Sequence, residues 1–168
     1  MARSWQVLLV TSVGVFMTFL DVTIVNIAFP DIRESFPASS LQQLSWILNV
    51  YAIVFAAALV PAGRLADRLG RRRFFFGGLF LFLGASAVCG AAGYVDVLIG
   101  ARAVQALGGA MLVPASLALV LPEFPLERRA TATALWGATG AVAAAAGPSL
   151  GGLLVNGRAG GRSSMSTS

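Results

Sequence analysis

The chain has 168 residues, 57% hydrophobic and only 11% charged, with a mean hydropathy of +0.81. A water-soluble domain has about a quarter of its residues charged, so this chain cannot cover its own apolar surface and lipid is the expected solvent. The net charge of +5 comes from 12 arginines against 7 acids, and most of the arginines sit in short segments between apolar runs, which argues against nucleic-acid binding; the absence of histidine excludes a histidine switch, and the single Cys89 excludes a disulfide framework.

A membrane-spanning helix needs ~20 mostly apolar residues. The first such stretch is about Trp5–Phe29, ending at Pro30. It runs past Asp21, too long for a signal-peptide core of ~7–15 residues. The second is about 41–62, with Pro61 near its end, and the third about 74–92. The fourth is about 97–121 and the fifth about 130–155. The expected fold is an all-α, polytopic membrane bundle with short connections between antiparallel neighbours. Cys89 falls in an apolar run and reads as a packed thiol.

Arginine placement sets the expected orientation, because cytoplasmic loops carry the excess of positive charge. With the N-terminus inside, the cytoplasmic segments hold Arg3, Arg64, Arg68, Arg71, Arg72, Arg73, Arg128 and Arg129. The external loops before Val155 hold only Arg33. The reading is therefore a multi-pass protein of the cell membrane with a cytoplasmic N-terminus.

The later helices are rich in glycine and alanine. Helix association in lipid relies on close backbone approach, so small residues at four-residue spacing mark interfaces. Ala143, Gly147 and Gly151 form one such ridge, and Ala101, Gln105 and Gly109 another. Helix packing alone accounts for most of these glycines.

Two charges lie well inside spans, Asp21 and Arg102. Each costs ~2.5–3.5 kcal/mol there on insertion scales, so a partner or a role is expected. Asp21 lies roughly 12 Å below the outer end of its helix and Arg102 roughly 8–9 Å below that of its own. A bundle can bring them together. A static ion pair or a snorkelling arginine is the plain explanation. The functional one is a protonatable carboxylate: the cation favours its charged form and desolvation the neutral one.

Between the second and third helices stands G-R-L-A-D-R-L-G-R-R-R, Gly63–Arg73. Its glycines suit a tight turn, Asp67 can pair with arginines or cap a helix, and the basic run holds the loop at an anionic leaflet. Topology charge alone explains the arginines but not Asp67 and the glycines. The run resembles the signature loop of the major facilitator superfamily at Gly63, Asp67, Arg68, Gly70, Arg71 and Arg72. The resemblance implies a conformational latch on the inner side.

Further motifs resemble the fourteen-helix drug/proton antiporter branch of that superfamily. Leu20–Pro30, L-D-V-T-I-V-N-I-A-F-P, is similar to its first-helix motif and supplies Asp21, Thr23, Asn26 and Pro30. Leu98–Ala110 resembles its fourth-helix motif through Arg102 and Gln105, with the glycine arriving late, at Gly108. The family associates that arginine with proton transfer. Gly147-Pro148-Ser149-Leu150-Gly151-Gly152 looks like the G-P-x-x-G-G antiporter motif, although Ala143 stands where the family often has glycine. Pro148 removes a backbone donor and should kink the helix. In the family this motif accompanies export.

Gln42, Ser45, Trp46, Asn49 and Ile53 recur at helical spacing on the second helix. Asn26, Trp46, Asn49 and Gln105 are the candidates for a substrate cavity, though Trp46 also suits an interfacial anchor.

The resemblance covers about 5–155, a partial N-terminal domain of the superfamily, whose fold needs two six-helix bundles. Residues 156–168, N-G-R-A-G-G-R-S-S-M-S-T-S, are polar and unlike the rest. Family members typically continue with something like G-W-R-W-v-F-x-V-N-v-P. Codons can be chosen for Ala159–Ser168 so that a shifted frame reads W-R-S-V-F-H-V-N-V. The expectation is a frameshift near Gly157–Arg158 in a longer reading frame.

The resemblance thus implies the N-terminal part of a proton-coupled exporter of drugs or other small molecules, inactive by itself. Its partners would be the bilayer, a small-molecule substrate and protons. A non-transporting membrane fragment and an uptake carrier of the same superfamily are the alternatives. An enzyme is disfavoured, because no nucleophile–base pair, metal cluster or phosphate loop is present; no cofactor or metal is expected.

Overall fold

The computed structural model of the chain describes residues 2–163, with side chains described for 3–147. Six α-helices follow one another: α1 Ala2–Ile27, α2 Phe29–Ser35, α3 Leu41–Leu69, α4 Arg71–Ala91, α5 Val95–Val120 and α6 Leu126–Ser163. A single 3₁₀ turn, Leu121–Glu123, joins α5 to α6. The last residues of the polar segment, 164–168, lie outside the described residues.

Four of these helices are long and apolar enough to cross a bilayer among the described residues: Arg3–Ile27, Leu41–Leu69, Arg71–Ala91 and Val95–Glu123. The fifth expected span, about 130–155, falls on α6. Large apolar side chains such as Leu9, Val13, Val60 and Phe80 are more than half exposed. Exposed apolar side chains of this size on several helices suit lipid rather than water.

Several element boundaries differ from the sequence expectation. Pro30 does not simply end the first helix. It sits in the first turn of the additional helix α2, where its missing N–H is not needed and its φ suits helix. Asp31 in that first turn and Arg33 in the last both complement the helix dipole. Ser40 then caps α3 by accepting a hydrogen bond from the Gln43 N–H at 3.2 Å.

The larger correction concerns Gly63–Arg73. The second helix does not stop near Ala62 but continues through Pro61 to Leu69. Gly63 is therefore helical, not a turn glycine. The reversal between α3 and α4 falls on Gly70, whose φ of 96° an L side chain rarely adopts.

α5 is the central helix. It packs against α1, α3 and α4, and α1 packs along α6. Ala62 and Ala66 of α3, Phe74, Phe75 and Phe82 of α4, and Leu112 and Ala115 of α5 form one apolar cluster. Leu44, Ile47, Val95 and Leu98 form another near the start of α5. A third, Leu8, Val120, Phe124 and Ala132, joins α1 to the α5–α6 connection. Ser4 reinforces that end by donating to the Glu123 carbonyl at 2.9 Å.

Close helix approach occurs where glycines meet. A Cβ on Gly108 would lie 2.6 Å from the Phe82 backbone nitrogen, and one on Gly78 would lie 2.8 Å from the Met111 Cβ and 3.1 Å from the Gly108 carbonyl oxygen. The glycine that stands late in the fourth-helix motif is thus where α5 crosses α4. The ridge read from the sequence, Ala101, Gln105 and Gly109, faces other helices: a Cβ on Gly109 would meet Thr18 of α1 and Tyr51 of α3, both at 3.0 Å.

Candidate functional site

Asp21 of α1 and Arg102 of α5 form an ion pair, with Arg102 Nη1 2.5 Å from Asp21 Oδ2. Their side chains are 17% and 3% exposed, so the pair is removed from solvent. Gln105, one turn beyond Arg102, lies on the same face of α5. Its Nε2 donates to Asp21 Oδ1 at 2.9 Å, and its Oε1 accepts from Arg102 Nη1 at 2.9 Å. The three side chains close a ring of hydrogen bonds in which both carboxylate oxygens have a donor.

Two further helices line the cluster. Tyr51 of α3 lays its ring over the guanidinium, with Arg102 Cζ 4.2 Å from the ring centroid. One turn earlier on α3, the Ile47 carbonyl lies 3.5 Å from Arg102 Nε, a long contact. Cys89 of α4 directs its thiol at Gln105 Oε1, 3.6 Å away. Four helices therefore converge on one buried cation and one carboxylate. A buried ion pair is stable only when its remaining polar atoms are also satisfied, and Gln105 supplies two of the needed bonds. Sequence reasoning missed Tyr51 because an aromatic residue in an apolar run carries no distinguishing signal. Its four-residue spacing from Ile47 is the nearest to one.

The other candidate residues fall into separate places. Gln105, a cavity candidate on sequence grounds, is 1% exposed and belongs to the ion-pair cluster. Asn26, Trp46 and Asn49 are exposed, and Asn26 turns its amide back to the Val22 carbonyl at 2.7 Å. Structurally these four do not form one set.

At the Gly63–Arg73 signature run, Asp67 of α3 and Arg71 of α4 pair across the Gly70 turn at 2.8–2.9 Å. Arg71 Nη1 also donates to the Ala118 carbonyl of α5 at 2.9 Å. One guanidinium thus ties the α3–α4 connection to the end of the central helix. Arg68 lies in the last turn of α3, where its charge favours the helix dipole, and Arg72 places its guanidinium 6.0 Å from the Phe76 ring centroid.

The antiporter-like run begins at Gly147, which is buried against α1. A Cβ there would lie 2.1 Å from Thr23 Cγ2 and 2.4 Å from Thr23 Cβ, so only glycine fits this crossing. Ala143, one turn earlier, is fully buried, and at Gly140 a Cβ would meet the Phe19 ring at 3.3 Å. The α1–α6 ridge is therefore real as far as Gly147. Pro148, Gly151 and Gly152 lie on the α6 backbone beyond it, and their side-chain environment lies outside the described residues.

An all-helical chain with an apolar exterior, close glycine crossings and a carboxylate–arginine pair buried between spans has the makings of a membrane transporter. Residues 11–166 match the Major Facilitator Superfamily. The chain is 42% identical over 150 residues to the multidrug resistance protein Stp of Mycobacterium tuberculosis, covering 89% of this chain and 28% of that protein. It is 43% identical over 156 residues to the drug efflux pump JefA of the same organism, covering 92% of this chain and 30% of the relative. It is 40% identical over 153 residues to the tetracenomycin C resistance and export protein of Streptomyces glaucescens, covering 91% and 28%. The chain belongs to the Major Facilitator Superfamily, a family of transporters rather than enzymes. It spans under a third of the length of these curated relatives.

Proposed function

We propose that the chain is the N-terminal part of a proton-coupled exporter of drugs or other small molecules. The observation that carries the reading is the closed Asp21–Arg102–Gln105 cluster. Asp21 can take up a proton only by giving up its charge pairing with Arg102. The Gln105 amide hydrogen-bonds both partners, so it can hold the site together in either state. A cluster of this kind converts protonation into a change of force between α1 and α5, which is what coupling requires. The names of the relatives favour export, and so does the run that starts at Gly147, where α1 and α6 meet.

In this reading α6 is the fifth span, residues 1–155 form part of the N-terminal transmembrane domain, and 156–168 stand apart from it. The N-terminus is cytoplasmic, which places the Asp67–Arg71–Ala118 link on the inner side. That link would hold α3, α4 and α5 together in one state and release them in another. Trp46 and Asn49, exposed on α3, are candidates for the face toward the substrate path, together with Asn26 of α1. The isolated 168-residue chain is expected to be transport-inactive.

The test is a chimera in which residues 1–155 replace the matching segment of the Stp relative, expressed in a pump-deficient host. Ethidium efflux that stops with a protonophore, and stops with Asp21→Asn, supports the reading. Efflux by the 168-residue chain alone, or efflux by the chimera that ignores Asp21→Asn, overturns it.

A further inference from the structure

The cluster contains a residue that neither the sequence motifs nor a simple ion-pair account assigns. Tyr51 is 4% exposed, and its ring face covers the Arg102 guanidinium. Its hydroxyl has no hydrogen-bond partner among the described residues. The hydroxyl therefore does not explain the placement of this side chain; the ring face does. Neighbours on two helices hold the ring in place. Phe55, one turn further along α3, stacks on it at 5.9 Å and 10°. Gly109 of α5 leaves the room it needs, since a Cβ there would lie 3.0 Å from the Tyr51 hydroxyl oxygen and 3.4 Å from the Phe55 ring.

We propose that Tyr51 is a positioning residue that holds the Arg102 cation in place when Asp21 is neutral. The charged and titratable groups facing the guanidinium are Asp21 from α1 and the Cys89 thiol from α4, with neutral Gln105 on α5 itself. While Asp21 is ionised, it supplies the counter-charge and the ring adds little. Once Asp21 is protonated, the Tyr51 ring face remains against the cation together with the Gln105 amide oxygen and the Ile47 carbonyl, and it supplies part of the attraction that the carboxylate no longer gives. Cation–π attraction strengthens when the cation is desolvated, as it is here. The ring would keep Arg102 from leaving its site for another anion during the neutral phase of the cycle. The inference rests on the proton-coupled reading of the cluster, and its test needs no transport.

The test uses the 168-residue chain in bicelles, with phenylalanine, 4-fluoro-, 3,5-difluoro- and 3,4,5-trifluorophenylalanine installed in turn at position 51. Fluorine withdraws electron density from the ring face with little change of shape. The unfolding constant is measured for each ring in the parent chain and in Asp21→Asn, which mimics the neutral carboxyl. In Asp21→Asn the unfolding constant should climb with each fluorine, reaching about tenfold for the trifluoro ring. With Asp21 intact the same series should move it less than about threefold. Equal slopes in the two backgrounds, or no slope in either, overturn the proposal. Because the readout is folding, it stands apart from the efflux test: a cluster that binds its cation through the ring but plays no part in transport would show the slopes and leave efflux insensitive to Asp21→Asn.

Discussion

Adding a single methyl at Gly108 tests the close crossing of α4 and α5, on which the placement of the cluster depends. In Gly108→Ala the new Cβ would sit 2.6 Å from the Phe82 nitrogen and 2.9 Å from both Phe82 Cα and the Gly78 carbonyl oxygen. These are backbone atoms, so no rotamer change relieves them, and the two helices must separate by roughly 0.8 Å to regain ordinary contact. Overpacking of this kind costs ~1–3 kcal/mol, and the absence of any side-chain escape places it in the upper part of that range. Alanine regains about 1 kcal/mol over glycine in a helix. The net expectation is a loss of ~1–2 kcal/mol, a rise in the unfolding constant of about 5- to 30-fold. Gly84→Ala is the matched control on α4: nothing lies within 4 Å of its Cβ position. It should be neutral or stabilising by up to ~1 kcal/mol. Equilibrium unfolding in mixed micelles, followed by circular dichroism, measures both. A Gly108→Ala chain as stable as Gly84→Ala would refute the close crossing.

Removing the carboxylate outright with Asp21→Ala leaves a buried unpaired cation and should cost ~3–5 kcal/mol; Asp21→Asn, whose amide oxygen can still accept from Arg102, should cost less in the same unfolding assay. The Arg71 pair is partly exposed, with side chains 43% and 59% accessible. Screening limits its worth, so Arg71→Ala should change stability by no more than about 1 kcal/mol, with a difference that shrinks as salt rises. Orientation can be read by labelling in a Cys89→Ala background. Ser39→Cys and Gly93→Cys should react with an impermeant maleimide in intact cells, and Leu69→Cys, beside the Gly70 turn, only after permeabilisation; the reverse pattern would invert the topology.

Asp21 and Arg102 were legible in the sequence because a charge inside an apolar run is costly enough to need a reason. Their similar depth made a pairing foreseeable. Gln105 was visible through its place in a motif, but nothing local showed that it would bridge the pair rather than line a cavity. Tyr51 was hidden, since hydropathy treats a buried aromatic residue as more core, and its role depends on a partner 51 positions away on another helix. The helix α2 was missed because proline suits both the end of one helix and the first turn of the next. Gly63 was misassigned for a related reason. Glycine beside a charged run looks like a turn, yet only Gly70 takes the positive φ that a turn here demands. At Gly109 and Gly147 the small-residue ridges predicted close packing correctly in kind. Which neighbour each glycine meets depends on rotation about the helix axis, which spacing alone does not fix.

The central claim is that proton binding at Asp21 is linked to substrate binding. It is tested most directly by proton release from the purified Stp chimera in a weakly buffered micelle solution when ethidium is added. The account predicts release from the parent chimera and none from its Asp21→Asn variant. Equal release from both would contradict it.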